Sequence, residues 1–197
     1  MKNSLAASAL LALLVAGSGV HAAERVKVRG ARENASGGVT AVSAGAVRGP
    51  NGAAASAHAI TTNGAGSATV VNGSAARASN GASYGRAGTT TVNADGSASH
   101  KSGFVAHGAN GSSAQSSGSF TRNADGSYGG QRSTAVTGAN GSYSGSTQYA
   151  NGSGTHTSDI AAKNGDTYTG TTSWTKGQGV THSGTCKDAA GNVIACP

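Results

Sequence analysis

Glycines recur at a fixed interval through the middle of this chain: Gly81, Gly96, Gly111, Gly126 and Gly141 are each 15 residues apart. Each of them follows Asn or Asp. Asn-Gly and Asp-Gly pairs favour the type I′ turn of a β-hairpin, because both central positions of that turn need a positive φ. The 11 residues between four-residue turns make one strand of roughly 35 Å. We therefore predict that the five glycines are structural turns between 15-residue strand-turn units.

The residues around these glycines alternate between two patterns. Asn-Ala-Asp-Gly-Ser occupies residues 93–97 and 123–127, and Gly-Ala-Asn-Gly-Ser occupies residues 108–112 and 138–142. The full repeat is therefore 30 residues long with two kinds of turn. In an antiparallel meander successive turns fall at opposite ends of the strands. Two alternating kinds of turn therefore predict that each kind lies along its own side of the sheet. A β-solenoid whose 30-residue coils have two corners would give the same alternation, and it stays open as an alternative.

The spacing of turns divides the chain into segments. Residues 23–49 are basic and rich in Gly and Ala, which predicts a mobile, flexible lead-in. Residues 50–197 are predicted to form the β-repeat domain, with shorter and less regular turn spacings over residues 50–80. Further pairs predict turns outside the regular array, at Asn51-Gly52, Asn63-Gly64, Asn72-Gly73, Asn151-Gly152 and Asn164-Gly165.

Aromatic residues near the C-terminus follow a strand-like alternation. The pattern Tyr-x-Gly-x-Thr-x-aromatic begins at Tyr143 and ends at Tyr149, and it returns from Tyr168 to Trp174. A period of two places these four rings on one face of their strands. We predict that they pack the C-terminal strands, with rings covering glycines of neighbouring strands.

Large aliphatic residues are scarce beyond residue 22. All five leucines lie in the first 14 residues, and the 175 residues that follow Ala22 contain 12 Val, 3 Ile and 2 Phe. That share, about a tenth, is half of the ~20% below which chains struggle to build a packed core. A conventional α/β enzyme is therefore excluded. Stability has to come from backbone ladders and close packing of small side chains, and we expect self-association to add to it.

Residues 1–22 are predicted to be a secretory signal peptide. Lys2 gives a positive start, the run from Leu5 to Val15 is apolar, and Val20-His21-Ala22 suits cleavage before Ala23. The apolar run is shorter than the ~20 residues of a membrane span, so we expect no transmembrane span in the mature chain. The expected location is extracellular or on the outer cell surface, with the periplasm as the alternative.

The two cysteines, Cys186 and Cys196, lie within the last dozen residues. In an oxidising compartment such a pair predicts a disulfide. The intervening residues can turn about Gly191 and set the two cysteines opposite each other. The disulfide would then close the last strand pair and stabilise it by on the order of 2–3 kcal/mol.

Basic residues outnumber acidic ones by 13 to 7 beyond residue 22. Four of the 13 lie close together near the mature N-terminus, at Arg25, Lys27, Arg29 and Arg32. Anionic surface polymers are therefore candidate partners, and we expect no specific nucleic-acid recognition. No residues have the spacing of catalytic, cofactor-binding or metal-binding groups, so we expect neither an enzyme nor a cofactor.

The overall plan of an export signal followed by Gly/Ser/Asn-rich tandem β units without a core resembles the curli-type secreted amyloid subunits of bacterial biofilms. The Gln and Asn ladders that frame Gly-x-Gly in curli repeats are missing here, and the cysteine pair is foreign to that family, so no functional residue carries over. The sequence favours a secreted structural or adhesive β-repeat protein that assembles with itself. Two alternatives are a non-catalytic module that binds anionic glycan or lipopolysaccharide, and a disordered exported spacer.

Overall fold

The computed structural model describes residues 24–196, which form one antiparallel β-sheet. The predicted signal peptide at residues 1–22 lies outside the described residues. Within residues 24–196 the structure has no helix, and hence none that could cross a membrane. The strands are β1 (Glu24–Glu33), β2 (Val39–Gly49), β3 (Gly52–Thr62), β4 (Ala68–Ala78), β5 (Ser83–Val92), β6 (Ala98–His107), β7 (Ser113–Arg122), β8 (Tyr128–Gly138), β9 (Gly141–Ala150), β10 (Ser153–Ala162), β11 (Thr167–Thr175), β12 (Gly179–Lys187) and β13 (Val193–Ile194).

Every strand pairs with its neighbours in chain order, so the sheet is an open meander with β1 and β13 at its two edges. This confirms the predicted all-β hairpin meander and excludes the solenoid alternative. Strands β1 to β12 are 9 to 11 residues long, which matches the length predicted from the 15-residue repeat. The two kinds of turn also separate as predicted. Loops 93–97 and 123–127 lie at one end of the strands, and loop 108–112 lies at the opposite end.

The turns of the regular array differ in type from the prediction. The Gly96 N–H donates to the Asn93 carbonyl at 3.0 Å, and the Asn93 N–H donates to the Ser97 carbonyl at 2.9 Å. Gly96 has a φ of 82°, whereas the Asp before it has a negative φ. This is a type I turn followed by a glycine bulge, with three loop residues instead of two. The same hydrogen bonds recur at Gly81, Gly111 and Gly126, and a two-residue loop with two positive φ values occurs at Asn151-Gly152.

Gly141 departs from the other four glycines of the array. It is the first residue of β9 and faces Gly138 across a two-residue loop, with a φ of 133°. The same five amino acids at residues 108–112 form the three-residue loop. The next turn follows at Asn151, which is closer than in the regular array, so a 10-residue β9 has to begin at Gly141. Strand length therefore overrides local turn preference here.

The turn predicted at Asn72-Gly73 is wrong, because both residues lie in the middle of β4. Asn72 faces His58 on β3, and Gly73 faces Ala57. The loops before and after β4 already delimit an 11-residue strand, which leaves no room for another turn. The segment 50–80 is thus as regular in strand length as the array that follows it.

The structure also corrects the expectation of a mobile lead-in at residues 23–49. Residues 24–49 carry β1 and β2, which pair along their length. The turn between them has its Asn at the first position and its Gly at the fourth, so it lacks the adjacent Asn-Gly pair. The Asn34 side chain accepts hydrogen bonds from the N–H groups of Ser36 and Gly38, at 3.0 and 3.1 Å, and Gly37 has a φ of 70°.

The sheet is a single layer and has no hydrophobic core. In the described part of the chain, Cys186 is the only buried hydrophobic side chain, with 6% of its surface exposed. One layer cannot cover either of its own faces, so the described strands depend on backbone hydrogen bonds and on contacts between adjacent side chains. Both faces remain available for contacts with other molecules.

Candidate functional site

Strand register assigns each strand residue to one of the two faces of the sheet, because directly opposed residues project to the same side. All eight aromatic residues of the chain share one face, which we call the aromatic face. They are Tyr84, Phe104, Phe120, Tyr128, Tyr143, Tyr149, Tyr168 and Trp174. The opposite face carries mainly Ala, Gly, Ser and Thr, and we call it the small-residue face.

The four rings predicted from the sequence lie on β9 and β11, with β10 between them. Tyr143 and Tyr168 both face Ile160, and Tyr149 and Trp174 both face Gly154. The other four aromatic residues, on β5 to β8, were not predicted to share this face. The number of residues in each loop determines which residues of adjacent strands share a face, so the loop lengths would have assigned these rings to the aromatic face.

Four of the eight rings, those of Tyr143, Tyr149, Tyr168 and Trp174, lie over glycine. A Cβ built on Gly154 would overlap the Trp174 ring, and one built on Gly130 would lie 2.7 Å from the Tyr149 hydroxyl. A Cβ on Gly184 would lie 2.7 Å from Tyr168 Cε2. The rings therefore rest against bare backbone, which covers one side of each ring and leaves the other side toward solvent.

One row of rings runs across the strands at regular intervals. Phe120, Tyr149 and Trp174 occupy the same level on β7, β9 and β11, with Gly130 and Gly154 between them. Residues two strands apart are about 9.6 Å apart at the backbone. The Phe120 and Tyr149 rings lean toward each other with centroids 6.5 Å apart and planes at 23°. Glycine in the intervening strands makes this approach possible.

The aromatic face also carries basic side chains, three in β1 and three among the strands that bear the rings. They are Arg25, Lys27, Arg29, Arg86, Arg122 and Arg132. Arg86 directly faces Phe104, and Arg122 faces Tyr128. Glu33 in β1 is the one acidic residue that the described strands place on this face, because Glu24 and Asp159 project from the other. The aromatic face therefore has a strongly positive charge balance.

Three threonine–histidine pairs bridge adjacent strands on the same face. The Nδ1 atoms of His100, His156 and His182 each lie 2.8 Å from a threonine hydroxyl across the ladder. The Nε2 atom of His182 also lies 3.0 Å from the Tyr168 hydroxyl. These bonds fix polar side chains between the aromatic rows.

A groove on the small-residue face indicates that the sheet curves toward this side. The groove is shallow, spans seven strands and is lined along one ladder by Ala75, Gly85, Val105, Gln115, Ala135, Ser144 and Asp159. Hydroxyl groups pair across the strands on this face, for example Ser117 with Ser133 at 3.3 Å. Bulky rings on one side and small residues on the other favour bending toward the small side, so the aromatic face is the convex one.

The two edges of the sheet differ from its faces. Six of the ten residues of β1 are charged, and β13 pairs only with Cys186 and Lys187 at the other edge. The predicted disulfide joins Cys186 to Cys196, with Cα atoms 5.3 Å apart, and holds this short strand in place. Charged residues and very short terminal strands are both features that limit edge-to-edge pairing.

Aspartates in three turns accept hydrogen bonds from their own loops. The Ser97 hydroxyl and the Ser97 N–H lower the pKa of Asp95, and the Ser127 hydroxyl and N–H lower the pKa of Asp125. The side chain and N–H of Asn192 do the same for the pKa of Asp188. The ionised carboxylates thus stabilise the turns.

In residues 24–196, no group of three or more His, Cys, Asp and Glu side chains could hold a metal ion. No protein family, curated protein or solved structure compared with the chain matches it.

Proposed function

We propose that this chain is a non-catalytic structural protein of a cell surface or extracellular matrix, and that copies of it stack through their faces. The single observation that carries this proposal is the absence of a second layer: thirteen strands form one sheet, and only one hydrophobic side chain among the described residues is buried. A second copy would supply the missing layer.

The size of the faces supports stacking. Twelve long strands spaced about 4.8 Å apart, each about 34 Å long, give a face of about 1,800 Å². A standard protein interface needs about 800 Å² from each partner. Even partial overlap of two sheets would therefore bury enough surface.

Shape and edge chemistry favour one arrangement. Two concave faces do not fit against each other, whereas the convex aromatic face of one copy fits into the concave small-residue face of the next. Such an interface joins two different surfaces, so it repeats without closing and produces extended stacks. The charged β1 and the short β13 disfavour growth by edge pairing.

Sedimentation velocity of the purified protein over a hundredfold range of concentration tests the proposal. We expect growth from single chains to large species, with fibre diffraction showing spacings of about 4.8 Å between strands and about 10 Å between sheets. A chain that remains single throughout this range would overturn the proposal.

A pair of variants tests whether the concave face is used. Ser133→Arg places a charge in the centre of the small-residue face, and Ala109→Arg places the same charge on an exposed turn. Stacking should require at least tenfold more protein for Ser133→Arg and should be nearly unchanged for Ala109→Arg. Equal behaviour of the two variants would contradict stacking through this face.

A further inference from the structure

We propose that the aromatic face binds acidic polysaccharide, with sugar rings stacked on the aromatic side chains and sugar carboxylates paired with arginines. This inference goes beyond self-assembly and does not depend on it. It rests on the placement of every aromatic residue on one face and on the charge of that face.

Charge complementarity identifies an anionic partner. Six cationic side chains lie on the aromatic face. Three of them lie in β1 with Glu33, the one carboxylate that the described strands place on this face, and no carboxylate of these strands lies among the rings. Arg86, Arg122 and Arg132 are exposed and stand among the rings. The Arg86 Nε donates to the Ser74 hydroxyl at 3.0 Å, and this contact leaves the remaining N–H groups of Arg86 for a ligand. Guanidinium groups bind carboxylates in a bidentate manner.

The row of rings offers flat apolar surfaces on which sugar rings can stack. Phe120, Tyr149 and Trp174 lie at one level on alternate strands, about 9.6 Å apart at the backbone. The Phe120 and Tyr149 rings lean to a centroid distance of 6.5 Å, so these two rings form one stacking surface, and Trp174 forms a second one across Gly154. Because the Tyr149 and Trp174 rings rest on glycine, their outer sides can receive the flat apolar side of a sugar ring. The bases of a stretched single-stranded nucleic acid could also stack on such rings, so nucleic acid is the competing occupant.

Polygalacturonate, an unbranched polymer of an acidic sugar, is the probe for the first test. Its fully methyl-esterified form has the same sugars without the charge, and oligothymidylate represents single-stranded nucleic acid. Binding is followed by the fluorescence of Trp174, the single tryptophan of the chain, at protein concentrations below those that produce stacks. We expect polygalacturonate to bind at least tenfold more tightly than the ester and than oligothymidylate.

A matched pair of variants separates the aromatic face from net charge. One variant replaces Arg86, Arg122 and Arg132 with Gln. The control also introduces three Gln residues, at Arg77, Lys101 and Lys187, which project from the small-residue face. Both lose three positive charges. The first should bind polygalacturonate at least tenfold more weakly, and the control should change by less than threefold.

A second variant tests the rings. Replacing Phe120 and Tyr149 with Leu keeps apolar side chains and removes the stacking surface, so binding should weaken at least fivefold while the unfolding midpoint confirms that the sheet is intact. Any one of four results would overturn the proposal. These are equal losses of binding in the two charge variants, tighter binding of oligothymidylate than of polygalacturonate, equal binding of the ester, and unchanged binding by the leucine variant.

Discussion

The ring of Trp174 on β11 lies over Gly154 on β10, in the position that a Cβ of residue 154 would occupy. A glycine inside a strand weakens it, because glycine has no side chain to pack. An aromatic side chain from the next strand replaces the missing contacts. The same arrangement on neighbouring strands produces a face of rings supported by bare backbone.

Gly154→Ala should therefore destabilise the sheet, because the new methyl group and the Trp174 ring cannot occupy one place. We expect a loss of about 1–3 kcal/mol, the usual range for overpacking, and a change in Trp174 emission. Gly45→Ala is the control, since its Cβ would meet nothing closer than 3.7 Å. Urea unfolding of both variants provides the measurement, and equal midpoints would contradict the placement of the ring.

Gly111→Val should cost more than about 1 kcal/mol, because a β-branched residue is strained at positive φ. The φ of Gly111 is 82°, and no heavy atom lies within 4 Å of its built Cβ, so strain of the backbone is the main cause. Gly138→Val is the matched control, because Gly138 also has open space but lacks a positive φ. Thermal unfolding distinguishes the two. If Gly138→Val proves as costly as Gly111→Val, the assigned turn is wrong.

Acid should destabilise the turns that carry Asp95, Asp125 and Asp188. Their folded pKa values lie below the ordinary value of 3.8, so the ionised carboxylates favour folding above about pH 4. That stability is lost as the pH falls through the lowered pKa. Asn at these positions should keep the backbone hydrogen bond, as Asn110 does with the Ser112 N–H at 3.1 Å.

The triple Asp→Asn variant should accordingly show a flatter dependence of the unfolding midpoint on pH between about 2.5 and 6. The wild-type protein measured in the same buffers is the reference. Identical slopes for both proteins would show that these aspartates do not contribute to acid sensitivity.

Added salt should promote stacking and weaken polysaccharide binding. The small-residue face also has a positive balance, since its five cationic residues outnumber its carboxylates Glu24 and Asp159; the five are Arg32, Arg48, Arg77, Lys101 and Lys187. Screening reduces repulsion between two positive faces, and it also weakens attraction to a polyanion. Sedimentation and polygalacturonate binding at increasing salt measure the two effects. A shared direction of change would contradict one of the two proposed interactions.

The 15-residue spacing was enough to predict strand length and the separation of the two kinds of turn, because turn chemistry and strand geometry are local, but it left the meander and the solenoid open. The faces could not be predicted beyond single strands. Across a three-residue loop, even-numbered residues of one strand share a face with even-numbered residues of the next. Across a two-residue loop, even-numbered residues share a face with odd-numbered ones. Tyr128 and Tyr143 therefore share a face only because Ala139 and Asn140 form a two-residue loop.

The disulfide was also predictable, because Cys186 and Cys196 are the two cysteines of the chain and a turn signal at Gly191 lies between them. The strands β1 and β2 were missed since the turn of Asn34 separates Asn from Gly. The face on which each arginine lies could not be predicted either, because it also depends on the number of residues in each loop. Arg122 on β7 faces Tyr128 on β8 only through the register of one hairpin.

Acrylamide quenching of Trp174 fluorescence as the protein assembles tests most directly whether the aromatic face is open in one chain and covered in the stack. We predict ready quenching at the lowest protein concentration, and a steep fall in quenching with a blue shift of emission as stacks form. A Trp174 that is already protected in the single chain, or that remains equally accessible in the assembled protein, would contradict the single-layer account.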